Sequence, residues 1–526
     1  MPEHLRALGF ILVLATAVLT FARAPACALA CTGQDFARRR NLWFAITLTA
    51  FLAHNVWIYL VVAAVVLLVA QRGEHNKLAM YFFVLFALPP ISAKLGGLGL
   101  VEALFLMDYV RLLALTLLLP AYFSLRKLPG TEPFGSSVPD KLLAGYMILD
   151  VILMWEHRTF TSILRDGVFY AFIDIFLPYY VASRGLRDLQ GFRDALMSIA
   201  VAAMVLGVTL FIEFARYWLL YQSLGDALES IGVEADYLSR DGNLRASGTI
   251  GHAIAAGYVV AVCLGFYLYL RKVVPNAMAW GLGFLLFVAG LIGPLSRGPW
   301  VGAAAMILVF VATGPAPMLA LARSGLLGLV AVPVLMATPY GAKIIDYLPF
   351  VGTVDERNVT GRQILAKVSY EVFWENPILG RHDFVETPAM QALRGSDGMV
   401  DLVNTYVVIA LGRGMVGLSL FVGIFIAVMF GVFKGMRSVT DKNDEHHVLG
   451  RALLATLVGI MIIIATVSPI LHIPTMYWLA AGLGVAYARM LARGKVPAVT
   501  GRAASQPAPV RRAGVRGVFP RIHAER

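Results

Sequence analysis

Ile250-Gly-His-Ala-Ile-Ala-Ala-Gly-Tyr-Val-Val-Ala-Val-Cys-Leu-Gly-Phe-Tyr-Leu-Tyr-Leu270 contains no Asp, Glu, Lys or Arg, and Arg271-Lys272 closes it. A helix needs about 20 mostly apolar residues to cross the hydrocarbon of a bilayer. This stretch therefore reads as one crossing with a basic end at a membrane surface. The pattern recurs at Leu78–Ala93, Tyr109–Phe123, Leu142–Trp155, Val168–Ala182, Ala195–Leu220, Ala277–Leu295, Trp300–Ala312, Leu319–Ala337, Leu402–Phe433, Leu453–Val467 and Ile473–Ala486. Over such lengths helices satisfy their own backbone in lipid. The expected fold is an all-α polytopic integral membrane protein with about 12–14 transmembrane helices and a large outer loop carrying short helices.

Composition agrees. Of 526 residues, 59% are apolar and 14% charged, against roughly half and a quarter in a soluble domain. A soluble chain of this kind would expose large apolar patches. Three cysteines do not make a disulfide scaffold, and no 20–50-residue period marks a solenoid. The net charge of +12 sits between apolar runs and in the C-terminal tail, so no nucleic-acid partner is needed to explain it.

Arg126/Lys127, Arg184/Arg187/Arg193, Arg271/Lys272 and Lys434/Arg437/Lys442 fall on alternate loops, and the tail adds Arg493, Lys495, Arg502, Arg511, Arg512, Arg516, Arg521 and Arg526. An excess of Lys and Arg marks the cytoplasmic side. Tyr221–Gly248, Pro294–Pro299 and Pro339–Val400 then face outward. The chain divides into an apolar N-terminal segment (1–40), an N-terminal transmembrane region (41–247), helices with arginine-bearing outer turns (248–338), the outer loop (339–400), C-terminal helices (401–492) and a basic, disordered tail (493–526) that binds the anionic inner leaflet. Leu8–Ala22 followed by Ala24–Ala30 reads either as a signal peptide or as a first helix. Leu42–Ala70, interrupted at His54-Asn55, reads as a hairpin that leaves Arg38-Arg39-Arg40 inside.

Within the spans, Glu213 and Arg216 are spaced to neutralise each other, as are Asp108 and Arg111 at a helix start. Asp150 and Asp174 are membrane carboxylates, functional by default. Cys27, Cys31 and Cys263 have no metal-ligand partners at useful spacing. Lys343–Asp397, with mixed charge and Trp374, reads as a folded lid.

Three arginines stand out on the outward side, where arginine is normally scarce. Arg245 lies in Asn243-Leu-Arg-Ala-Ser-Gly-Thr-Ile-Gly-His252, Arg297 in the turn Pro294-Leu-Ser-Arg-Gly-Pro299, and Arg362 in the helical-looking Thr360–Trp374. Guanidinium groups fork onto phosphate oxygens, and helix N-termini also favour anions. Contacts with lipid headgroups or with Asp355 and Glu356 would explain any one of them singly; together they indicate an anionic-ligand site.

These segments, with Trp374-Glu-Asn-Pro-Ile-Leu-Gly380 and Asn404-Thr-Tyr-Val-Val-Ile-Ala-Leu-Gly-Arg-Gly-Met-Val-Gly417, resemble the O-antigen ligase and Wzy-type polysaccharide polymerase superfamily over residues 240–420. The resemblance implies a metal-independent, cofactor-free inverting glycosyltransferase of the bacterial inner membrane, multi-pass, with a cytoplasmic C-terminus and a periplasmic active site in cell-surface polysaccharide synthesis. It implies an undecaprenyl-diphosphate-linked oligosaccharide donor and a glycan or lipid-linked acceptor. It places Arg245, Arg297 and Arg362 on the diphosphate, with His252, Ser296, Asn404 and Tyr406 lining the site. Positive charge at the leaving diphosphate would stabilise the transition state.

One departure matters. Ligases of this group carry His before the Asn of the last motif, whereas Val403 stands here, in Asp401-Leu-Val-Asn404. Asp401 and His382 are the replacement candidates for a base; an N-cap for the first and a solvated loop for the second are the plainer roles. Without that His, a repeat-unit polymerase or a ligase with another acceptor fits better than a strict lipid A–core ligase. A flippase of lipid-linked oligosaccharide and a non-catalytic scaffold of an exopolysaccharide machine are the rival readings; matching interrupted halves, the usual mark of a transporter, are absent from the sequence.

Ser396→Cys should react with a membrane-impermeant thiol reagent when only the outer membrane is permeabilised. Labelling that appears only after inner-membrane lysis would reverse the orientation.

Overall fold

The computed structural model describes residues 2–97, 103–156, 158–228, 238–240, 242–319, 321–323, 325–326, 329, 356–394, 400 and 402–495. Among these the chain is almost wholly helical, and seven helices are long and apolar enough to cross a membrane. The elements used below are α1 (Glu3–Leu29), α2 (Gly33–Leu52), α3 (Val56–Ala70), α4 (Lys77–Val84), α5 (Tyr109–Leu113), α6 (Val138–Met154), α7 (Leu177–Gly185), α8 (Leu189–Arg216), α9 (Ala253–Val273), α10 (Ala277–Ile292), α11 (Arg297–Ala312), α12 (Glu356–Glu375), α13 (Thr405–Arg437), α14 (Glu445–Ile463) and α15 (His472–Lys495).

The segment opening the chain is a continuous helix, α1, packed on α8 and α2. The expected hairpin over Leu42–Ala70 forms as α2 and α3. Asn55 ends the break by accepting from the Trp57 N–H at 2.8 Å, capping α3. On α3, Trp57, Ile58, Val61, Val62, Val65, Leu68 and Val69 are all exposed, an apolar face of the kind lipid covers.

Two expectations change. The Leu78–Ala93 span is a helix only to Val84, and Pro89-Pro90 is followed by β1 (Ser92–Gly96) paired antiparallel with β2 (Ala103–Asp108). Proline lacks the N–H that a continuing helix needs, so the chain turns early into a short hairpin. The apolar run at Val168–Ala182 begins as a π-helical stretch, Ile163–Phe176, before α7. Most of Leu319–Ala337 and the tail beyond Lys495 lie outside the described residues.

The sequence run read first, α9, is the buried centre, touching α8, α10, α11, α14 and α15. Small residues set how closely its neighbours approach. A Cβ on Gly290 of α10 would stand 2.7 Å from the Gly207 Cα of α8, and one on Gly293 would stand 2.6 Å from the Leu210 carbonyl. Gly298 and Gly302 of α11 lie against Thr466 and Ile463, and Gly257 of α9 lies 3.1 Å from Pro299 on the same test. These crossings bring the α10–α11 turn against the start of α9.

The bundle has two chemically distinct ends. At one, buried ion pairs join elements far apart in sequence. Arg39 bridges Glu74 at 2.6 Å and Asp194 at 2.5 Å, Arg184 meets Asp140 at 2.7 Å, and Arg489 meets Asp140 at 3.2 Å. Arg193 pairs with Glu445. Part of the basic charge that the sequence assigns to loops is therefore internal and compensated. The opposite end carries the β1–β2 hairpin, residues 238–240 and 242–252, the Pro294–Arg297 turn and residues 402–404 before α13.

Gly290→Val should lower stability in detergent by about 1–3 kcal/mol, the usual cost of overpacking. Gly281→Val, whose added carbon meets nothing within 4 Å, is the control. Equal melting midpoints for both would refute the close crossing.

Candidate functional site

The sequence supplies Arg245 and Arg297 separately; the fold seats them on one turn. Residues 239–240 and 243–244 pair as a two-residue ladder, and the Arg245 N–H donates to the Leu238 carbonyl at 2.9 Å. The Ala246 N–H then donates to the Gly293 carbonyl at 3.0 Å, lacing this segment to the α10–α11 turn. From there the Arg245 guanidinium reaches across. Its Nε donates to the Pro294 carbonyl at 3.0 Å and its Nη2 to Ser296 Oγ at 3.0 Å.

Ser296 is the residue immediately before Arg297, the first residue of α11. Arg240 joins the same turn, donating to the Leu295 carbonyl at 2.6 Å. Leu295 holds a left-handed backbone, φ 48°, an uncommon geometry for a branched residue. Burial first, and the Arg240 charge second, push the Arg245 guanidinium down to about 10, which leaves it cationic at neutral pH. Its Nη1 makes no hydrogen bond to a described residue. A cationic patch at the start of a helix is suited to an anion.

A carboxylate inside the bundle holds this arrangement. Glu213 was expected to neutralise Arg216, one turn on. Instead it turns inward, where its Oε2 accepts from the N–H groups of Ser247 at 3.1 Å and Gly248 at 2.9 Å, and its Oε1 accepts from Leu220 at 3.0 Å. Arg216 is exposed. Spacing alone favours the i, i+3 pair, but the N–H groups of a tight turn with a positive-φ glycine (Gly248, φ 53°) have no helical acceptor. Glu213 is therefore a structural support of the Arg245 segment that sequence spacing misassigns.

His252 is half-buried and precedes α9, its carbonyl accepting from the Ala256 N–H at 2.9 Å. Asn404 is the cap of α13, its side-chain oxygen accepting from Tyr406 at 3.0 Å and Val407 at 3.3 Å. The Tyr406 hydroxyl donates to the Met461 carbonyl at 2.7 Å. Arg362 is exposed on α12, and among the described residues no hydrogen bond or ion pair joins it to Arg245 or Arg297. Asp401 lies outside the described residues.

The two remaining motifs meet directly. Gly414 interrupts α13 with φ 61° and ψ −167°, a conformation essentially restricted to glycine. Its break frees helical N–H and C=O groups, and Pro377–Arg381 takes them up. Met415 donates to the Pro377 carbonyl at 2.9 Å and Val416 to Ile378 at 3.1 Å, while Leu411 accepts from the Arg381 N–H at 2.7 Å. Gly380, φ 69°, is the matching close approach. His382 follows, half-buried, between Arg381 and Asp383, which pair at 2.7 Å.

Beneath it Val372, Phe384, Met390, Leu402 and Leu411 form a small separate core. Two of the spans' charged groups are likewise paired. Asp150 binds Arg413 at 2.7 Å, and Asp174 binds Arg111 at 2.8 Å. Asp108 accepts from the Arg111 N–H at 2.7 Å, agreeing with its helix-start role.

A cavity of about 900 Å³ lies at the ion-paired end, lined by Cys27, Cys31, His75, Lys77, Arg187 and Asp194 among others. None of the sequence-selected site residues lines it.

Glu213→Leu should destabilise the segment around Arg245 strongly, since each buried N–H left unpaired costs about 1–3 kcal/mol. Faster proteolysis within residues 238–248 and a lower melting midpoint are expected. An unchanged digestion pattern would show that the carboxylate is dispensable.

Set beside known proteins, the chain matches no family model and no curated protein.

Proposed function

We propose that this chain is a membrane glycosyltransferase of the O-antigen ligase or polysaccharide polymerase kind, working at the periplasmic face of a bacterial inner membrane. In this reading it crosses the membrane about 12–14 times, takes oligosaccharide from undecaprenyl diphosphate and hands it to a glycan or lipid-linked acceptor. The observation that carries the reading is the seating of Arg245 on the Pro294–Arg297 turn. Two cations from distant segments share one turn at the bundle end away from the ion-paired loops.

The chemistry follows from that placement. The acceptor hydroxyl attacks the anomeric carbon from the face opposite the diphosphate, the bond to the diphosphate oxygen breaks, and configuration inverts. Negative charge grows on the leaving diphosphate, where preorganised guanidinium groups act most strongly. The hydroxyl proton goes to a base, for which Asp401, next to Leu402, is the first candidate and His382, beside the α13 kink, the second. Docking of the Trp374–Gly380 motif on α13 supports a lid built as one unit with the acceptor side.

Purified protein in liposomes, given an undecaprenyl-diphosphate oligosaccharide without ATP or metal, should transfer or lengthen glycan. Arg297→Ala should lower turnover about 10²–10³-fold and weaken donor retention. Asp401→Asn should lower turnover, by up to the 10²–10⁴ usual for a general base, with donor binding nearly unchanged. Donor translocated across the bilayer without product would favour the flippase reading. Wild-type turnover in Asp401→Asn would pass the base to His382.

A further inference from the structure

Helix α8 ends at Arg216 because Tyr217 takes a left-handed conformation, φ 51°, and turns the chain outward. With Glu213 committed to Leu220, Ser247 and Gly248, Arg216 has lost the carboxylate nearest to it in sequence, and among the described residues it makes no hydrogen bond or ion pair. Across from it stands α1. Arg6 lies over the Trp218 indole at 5.0 Å, Phe10 meets the same ring edge-on at 5.5 Å, and the indole N–H donates to Glu3 Oε1 at 2.9 Å. Arg6, Phe10, Ala215, Arg216, Tyr217 and Trp218 line one cavity of about 560 Å³. Two exposed guanidinium groups therefore face a shared space floored by aromatic rings, and among the described residues Glu3 is the one carboxylate hydrogen-bonded to its floor.

Exposed apolar side chains extend the lining faces of both helices as a track. Val13, one turn along α1 from Phe10, is 70% exposed, and Phe211, one turn back along α8 from Ala215, is 37% exposed. An anion alone has no use for that track; an amphiphile does. Paired arginines bind phosphate oxygens with charge-assisted hydrogen bonds, and aromatic side chains with one polar edge sit where headgroups meet hydrocarbon.

We infer that the Arg6–Arg216 cavity binds the phosphate of one membrane lipid, whose chain lies along the Val13–Phe211 track between α1 and α8. The site is separate from the Arg245–Arg297 turn and stands whether or not the chain transfers sugar. It is also tied to that turn, because the Tyr217 hydroxyl donates to Asn243 Oδ1 at 2.5 Å, two residues before Arg245.

Native mass spectrometry of the full-length protein in an uncharged detergent tests this, with phosphatidylglycerol, diacylglycerol and inorganic phosphate as probes. One phosphatidylglycerol should be retained, and diacylglycerol should not. Arg6→Gln or Arg216→Gln should each weaken retention about tenfold, the equivalent of one charge-assisted contact, and the double variant further. Both residues are exposed, so the fold should survive, and an unchanged melting midpoint checks it. Inorganic phosphate competing as well as the lipid would keep the phosphate chemistry and assign the site to a soluble ligand. Equal lipid retention by wild type and the double variant, or diacylglycerol held as firmly as phosphatidylglycerol, would overturn the inference.

Discussion

An unpaired backbone N–H inside an apolar bundle costs about 1–3 kcal/mol, and no water is at hand to relieve it in lipid. The architecture around the candidate site answers to that constraint. Glu213 accepts three such groups, from Leu220, Ser247 and Gly248, and so ties the segment carrying Arg245 to the end of α8. The break at Gly414 would leave donors and an acceptor stranded in α13; Pro377, Ile378 and Arg381 satisfy them from the loop. Irregular backbone occurs at both places, and at both another part of the chain completes it.

Side-chain charge obeys the same rule. A buried ion costs several kcal/mol unless it is paired, and Arg39 is held by Glu74, Asp194 and Ser198. Asp140 collects Arg184, Arg489 and the Tyr179 hydroxyl. These clusters staple helices from both halves of the chain at one end. At the other end Arg111 and Arg413 are paired with Asp174 and Asp150, whereas Arg245 contacts a carbonyl and a hydroxyl and Arg6 a ring, groups that do not cancel their charge. That contact of Arg245 with neutral groups is the physical basis for reading its turn as an anion-binding one.

The link between the two arginine-bearing features runs through α8. Its last turn supplies Glu213 to one and Arg216 to the other, and Tyr217 touches Asn243. A lipid phosphate at the Arg6–Arg216 cavity would therefore sit on the element that sets the position of Arg245.

The sequence by itself determined the class of the molecule. Apolar runs near helix-crossing length, alternate basic loops and the hairpin break at His54-Asn55 are local signals, governed by hydrophobicity and capping, and they need no partner to be read. Local spacing also drew attention to Arg245, Arg297 and the two glycine-rich motifs. Tertiary structure decided the rest: that Arg245 grips Ser296, that Gly380 enters the kink at Gly414, that Glu213 turns from Arg216 to backbone donors, and that Pro89-Pro90 sends the chain into a hairpin. Each depends on which groups from distant segments are left unsatisfied when the helices pack. Spacing along one helix carries no information about a donor 35 residues away, such as the Gly248 N–H on Glu213.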